Sequence, residues 1–355
     1  MKRSQIISHA AVLAVFAIAA AACGSAESSA PSTVGAAQDT ATSAAQDTAT
    51  SAPEPVATQA DCPDAGQVAV GLQTGSITSG DVEYDYQWTV PSSYDGSPLP
   101  VVLDFHGLGS NGEQQGTFVG WPALAEIEGF IAVQPSGPPL SLSIPHGWEV
   151  PQFDIDPEDK DKRDDVAMVV DLLGHLAANV CIDADRIYST GFSMGAMFTS
   201  TLVCELGDVI AAAVTVAGLN HHDECDPIRP VPFLAFHGTA DNVTPMNGSK
   251  IFPEGSPERQ FFEFEQIMPD ELGQFADDFG CTDSVDSSVS DSVTLTSYIG
   301  CNDDVEIGFY TIEGGGHTWP GSVVFAETPG TGFTTMEIDA RSIAWDFFER
   351  QSLSS

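Results

Sequence analysis

The sequence predicts an α/β protein built on a mostly parallel, doubly wound sheet, and two observations predict it. Short apolar runs alternate along the chain with helix-length amphipathic stretches, the pattern of parallel strands covered on both faces. Pro and Gly cluster in the connections, as at Gly137-Pro138-Pro139 and Pro253-Glu254-Gly255. Strands are expected over residues 101–105, 130–134, 186–190, 211–216, 231–236 and 306–312, and helices over 162–180, 194–206, 259–279 and 336–351. In the first of these helices Val166, Val169, Val170, Leu173 and Leu176 share one face. The composition changes once, near residue 60, so residues 61–355 are expected to form a single domain that carries any catalytic site.

Residues before that boundary have other expected roles. Lys2 and Arg3 precede an apolar run over residues 10–22, which is the layout of a signal peptide over residues 1–22. The run is too short and Ala-rich for a permanent membrane span. Ala20-Ala21-Ala22-Cys23 resembles a bacterial lipobox with Ala in place of the usual Leu, so Cys23 is the expected lipidation site. Membrane association is expected only through that anchor. Residues 23–60 are rich in Ala, Ser, Thr, Gln and Asp and repeat AAQDTATS at 36–43 and 44–51, the composition of a disordered tether.

Eleven Lys and Arg face 51 Asp and Glu, a formal net charge of −40. Nucleic acid is excluded as a partner, since binding it requires neutralising phosphates with cations. An acidic coat keeps a protein soluble and lowers encounter rates with polyanions. Beyond Cys23 six cysteines remain, an even number that suggests three disulfides in an exported chain. Cys281 and Cys301 flank one polar, Ser- and Asp-rich excursion and are expected to pair; Cys204–Cys225 and Cys62–Cys181 are the further expected pairs. No C-x-x-C motif is present, and neither a metal nor another cofactor is expected. The carboxylate-dense stretch 154–165 lacks the glycine spacing of a calcium loop and reads as a solvated acidic turn, and His221-His222 reads as a surface loop.

Four short segments follow expected strands, where open α/β sheets place their sites. Gly191-Phe192-Ser193-Met194-Gly195 lies between a strand and a helix, the context in which G-x-S-x-G exposes a nucleophilic serine. Asp241 ends the segment His237-Gly238-Thr239-Ala240-Asp241 and is placed to orient a catalytic imidazole. His317, within Gly314-Gly315-Gly316-His317-Thr318-Trp319-Pro320-Gly321, is the candidate general base. The order Ser193, Asp241, His317 is that of the α/β-hydrolase fold. His106-Gly107-Leu108-Gly109-Ser110 follows the first strand, so the backbone N–H groups of Leu108 and Met194 are the expected oxyanion donors. His106 comes too early in chain order for the base and reads as structural. Trp319, Trp148 and Trp121 are the candidate substrate-contacting aromatics.

Together these segments resemble the esterase family that contains poly(3-hydroxybutyrate) depolymerases and feruloyl and acetylxylan esterases. The resemblance runs from about residue 84 to 348 and includes Cys181-Ile182-Asp183, the Ser193 elbow and the stretch GGGHTWPG around His317. It implies an α/β-hydrolase fold, no metal, and hydrolysis of esters outside the cytoplasm through Ser193, Asp241 and His317. Many members carry Cys where Leu108 stands and Gly where Ala196 stands. Polyester depolymerases often append a polymer-binding domain, which shifts the expectation away from a solid polymer. The expected partner is therefore an ester substrate, either a hydroxyalkanoate oligomer or polymer or a feruloyl or acetyl ester on a polysaccharide. A serine peptidase of the same fold and an inactive surface-binding module are the alternatives.

Overall fold

The structure is a computed structural model that describes residues 62–140, 146–151, 163–249, 264–324 and 330–354. The signal peptide, Cys23 and the tether lie outside the described residues. The core element is a ten-stranded sheet. Its strands in chain order are β1 (Gly71–Ser79), β2 (Val82–Val90), β3 (Leu99–Phe105), β4 (Ile131–Pro135), β5 (Ile182–Phe192), β6 (Ala212–Val216), β7 (Phe233–Gly238), β10 (Asp283–Ser288), β11 (Val293–Ile299) and β12 (Ile307–Ile312). A separate two-stranded pair is formed by β8 (Asn247–Ser249) and β9 (Phe264–Ile267).

The order across the large sheet is β1-β2-β4-β3-β5-β6-β7-β12-β11-β10. The six central strands, β4 through β12, run parallel. An antiparallel hairpin extends each edge, β1–β2 on one side and β10–β11 on the other. Alternate residues of the parallel strands enter two cores. Val101, Leu103, Phe105 and Phe233 face the core that holds Met168, Leu172 and Phe198. Val102, Tyr188, Leu234 and Phe236 face the one that holds Phe118, Trp121, Trp345 and Phe348. Helices α3 (Asp165–Asn179), α4 (Met194–Glu205) and α5 (Met268–Asp278) cover the first face, and α1 (Gly112–Val119), α2 (Trp121–Glu128) and α6 (Ala340–Phe348) the second. This is the doubly wound arrangement the alternating pattern predicts.

Three local expectations change. The helix expected over 259–279 begins at Met268, and residues 264–267 form strand β9. Pro269 sits in the first turn, the one place in a helix where a missing N–H costs nothing. The polar excursion between Cys281 and Cys301 is the β10–β11 hairpin, whose outer strand is exposed along its whole length. Such an edge has no apolar alternation to reveal it. The third change concerns the carboxylate-dense stretch, whose last residue, Asp165, is buried and paired with Arg163. The disulfides join Cys62 to Cys181, Cys204 to Cys225 and Cys281 to Cys301. Among the described residues no helix is long and apolar enough to cross a membrane.

One buried carboxyl has an unusual environment. Asp104 on β3 is fully buried, and its Oδ1 accepts a 2.8 Å hydrogen bond from Gln115 Nε2 of α1. Its Oδ2 has no partner among the described residues, and its neighbour across the sheet is the uncharged Thr190. Desolvation pushes its pKa up to about 8. A folded-state value above the unfolded one means full stability at low pH and a loss as the pH rises toward about 8. Asp104→Asn should therefore melt at a higher temperature than wild type at pH 7 to 8. The gain should shrink toward zero near pH 4, close to the carboxyl's unfolded value. A melting-temperature series across that range checks it, and a pH-independent difference contradicts it.

Candidate active site

The carboxyl ends of β3, β5, β7 and β12 carry the four chemistry-bearing segments to one place. Ser193 directly follows β5 and is the N-cap of α4, with φ 56° and ψ −118°, a left-handed backbone that a non-glycine residue adopts only under strain. The turn is held by the Ser193 N–H donating to Val216 O at 2.9 Å, and by Ser193 O accepting from Ala196 and Met197 N–H at 3.0 and 3.1 Å. Gly195 is required by contact, because a Cβ there would collide with the carbonyl oxygen of Phe105 at the end of β3. That contact locks α4 against the loop that begins at His106. A side chain on Gly107 would stand 3.3 Å from Ser193 Cβ, so this loop passes directly beside the serine.

The acid and histidine loops are equally close. A Cβ on Gly238 would collide with Gly315 O. Ala240 N–H donates to Gly315 O at 2.8 Å and Gly314 N–H to Thr239 Oγ1 at 2.9 Å. This packing sets His317 Nδ1 2.8 Å from Asp241 Oδ2. Asp241 Oδ1 accepts from the N–H groups of Val243 and Thr244 at 2.8 and 2.9 Å, and the one Thr244 Oγ1 proton is shared between Oδ2 at 3.0 Å and Ala217 O at 2.8 Å. Burial alone would raise the Asp241 carboxyl. The hydrogen bond and charge of His317, the charge of His237 and the Thr244 N–H outweigh it and hold the group below its ordinary value. His237 is buried and its own pKa is lowered, chiefly by desolvation, and Nε2 lies 2.7 Å from Thr244 O. The Phe192 ring lies 4.8 Å from the His317 ring, centroid to centroid. Among the described residues the Ser193 hydroxyl makes no hydrogen bond.

The Leu108 N–H has no partner among the described residues, and Met194, as the first residue of α4, has an N–H that no carbonyl inside the helix can accept. His106 is structural: burial pushes it down to about 4, its Nε2 accepts from Gly137 N–H at 2.9 Å, and its Nδ1 lies 2.8 Å from Gly107 O. The three tryptophans are all buried, which corrects the expectation that they line an acyl pocket. Trp121 packs between Phe130 and Phe348 in the core because its indole finds aromatic partners there. Trp148 stacks on Phe198 and donates to His106 O at 2.9 Å, and Trp319 packs edge-on to Phe118. Thr244 and His237 were not singled out from sequence. Their place beside Asp241, at three and four residues' distance, was the available signal.

Residues 92–256 match the family described as phospholipase/carboxylesterase. The chain has an α/β-hydrolase fold. It is 28% identical over 277 residues to feruloyl esterase B of Piromyces equi, covering 74% of this chain and 44% of that protein. It is 27% identical over 225 residues to a bifunctional acetylxylan esterase/xylanase of Neocallimastix patriciarum, covering 62% of this chain and 29% of that protein. The chain thus spans less than half the length of either relative. A solved thermostable esterase shares the fold with a TM-score of 0.50 and 18% identity, covering 79% of this chain and 63% of the other.

Thr244→Val removes one of three donors that come to the Asp241 carboxylate from its own loop. A hydrogen bond to a charged group contributes about 1.5–3 kcal/mol, and the folded protein should lose stability of that order at pH 7. A depressed carboxyl contributes stability that is present above its unfolded pKa and lost as the pH falls through the folded one. The penalty should therefore shrink in acid, below about pH 4. Chemical unfolding at the two pH values measures both.

Proposed function

We propose that this protein is an exported serine esterase. Ser193 attacks the ester carbonyl while His317 takes its proton, and the backbone N–H groups of Leu108 and Met194 receive the developing oxyanion. His317 then returns the proton to the leaving alcohol, and water hydrolyses the acyl-enzyme under the same base. Asp241 holds the imidazole with Nδ1 toward it and stabilises the imidazolium. The observation that carries the reading is the 2.8 Å contact between His317 Nδ1 and Asp241 Oδ2, beside a strained serine turn at a helix N-terminus.

The relatives named feruloyl and acetylxylan esterases favour an acyl group carried on a polysaccharide as the substrate. A hydroxyalkanoate ester remains within the same chemistry. A net charge of −40 favours uncharged substrates over polyanions. The three disulfides fit an oxidising compartment, and lipidation at Cys23 would tether the enzyme to the exporting cell's surface. Radiolabelled palmitate should enter the wild type and not Cys23→Ser.

A fluorophosphonate probe should label the wild type and leave Ser193→Ala unlabelled. The wild type should cleave p-nitrophenyl acetate, with kcat falling at least about a thousand-fold in Ser193→Ala. An unlabelled wild type contradicts the serine mechanism. Faster cleavage of a matched amide than of the ester contradicts the esterase reading.

A further inference from the structure

Arg163 is a deeply embedded cation. Its side chain is 9% exposed and that of its partner Asp165 is fully buried. The guanidinium reaches in two directions. Toward α3, Nε lies 2.7 Å from Asp165 Oδ1 and Nη2 3.0 Å from Oδ2, a two-pronged pair. Toward the segments after β4, Nη1 donates to Pro138 O at 3.2 Å and Pro139 O at 3.3 Å, and Nη2 donates to Gly147 O. One planar group thus joins residues 138–139 to residue 147 and ties both to the start of α3. Asp165 is braced in turn by Tyr84 Oη and Glu149 N–H, each at 2.7 Å.

The tied segment backs the oxyanion donors. A Cβ on Gly147 would stand 2.8 Å from Met194 Sδ and 3.1 Å from Leu108 Cδ1, so the side-chain ends of both residues lie against Gly147. Its neighbour His146 accepts the Gly109 N–H at 2.6 Å, fixing the peptide that follows Leu108. The next residue, Trp148, holds His106 O from the other side of the same loop. Three consecutive residues, 146–148, therefore grip the 106–109 loop, and Arg163 grips the middle one.

We infer that Arg163 is a positioning residue: through Gly147 it holds the Leu108 and Met194 N–H groups in the geometry that receives the oxyanion. The inference rests on the serine esterase reading. Arg163 works by placement and not by its charge, because the two-pronged pair with Asp165 neutralises the guanidinium where it lies. Its planar fork is also what lets it serve a carboxylate and three carbonyls at once, a task a lysine ammonium cannot share out in the same way. Oxyanion donors act in the transition state, so their displacement lowers kcat and leaves KM nearly as it was.

The test uses two variants. Arg163→Lys keeps a positive charge for Asp165 and loses the reach to the carbonyls. Arg163→Met with Asp165→Asn removes both charges together, since an unpaired buried Asp165 would itself destabilise the protein. For each, kcat and KM are measured on p-nitrophenyl acetate, and hydrogen exchange is measured on peptides covering 106–110 and 146–151. Deleting a donor outright costs a factor of about 100–1,000; displacement should lower kcat by about 10–100-fold, with KM within about three-fold and faster exchange in both peptides. Wild-type kcat in either folded variant overturns the inference, as does a loss confined to KM or unchanged exchange. A wild type that neither turns over nor takes a fluorophosphonate label overturns the esterase reading instead, and the exchange data still decide whether Arg163 holds the loop. Should the double variant fail to fold, Arg163→Lys alone decides.

Discussion

The reactive end of the molecule depends on backbones that touch. Helix α4 begins so close to the end of β3 that no side chain fits at Gly195. The carboxyl end of β7 meets the Gly314-Gly315-Gly316 run after β12 in the same manner at Gly238. Those two contacts bring four loops from four strands within reach of one another. The cost is the strained serine, with φ 56°, held by hydrogen bonds to Val216, Ala196 and Met197. Strain of this kind persists only where its surroundings over-determine it, and here the surroundings are the end of β6 and the first turn of α4.

The scarcity of cations shapes the rest. Five arginines fall among the described residues, and each is already engaged. Arg186 pairs with Asp183 and Arg350 with Glu306. Arg163, Arg229 and Arg341 each donate to at least two backbone carbonyls, at Pro138, Pro139 and Gly147, at Ile210 and Pro230, and at Val119 and Gly120. The positive charge here is thus spent on bracing loops. Among the described residues the arginines thus leave few means of recognising an anion, which supports the proposal of an uncharged ester.

The central parallel strands were legible because they are buried on both faces and read as unbroken apolar runs. The edge hairpins were not: β10 is exposed throughout, and β1 alternates exposed with half-buried positions until Ile77 and Ser79, with few large apolar residues. The placement of the segments that hold Ser193, Asp241 and His317 was legible because short motifs at strand ends carry positional meaning. Thr244 was hidden as an ordinary residue whose hydroxyl matters only once the loop folds back to Ala217 O and Asp241 Oδ2. Asp165 was hidden by its neighbours, since a carboxylate run reads as solvated until one member is seen to carry a buried arginine.

Three buried carboxyls show that the donors and charges set against burial decide what such a group does. Asp104 has one donor, Gln115, and desolvation lifts it to about 8, so at neutral pH it is largely a neutral acid. Asp165 has a guanidinium, a phenol and an amide, and serves as the fixed end of an ion pair. Asp241 has two amides, a hydroxyl and His317, and is held below its ordinary value. Only the last is suited to steady an imidazolium. A carboxyl in the environment of Asp104 would take up a proton and give up the charge that the transition state draws on. On the proposed mechanism, the turn from Asp241 to Thr244, which supplies three of those four donors, therefore matters to catalysis as much as the carboxylate it surrounds.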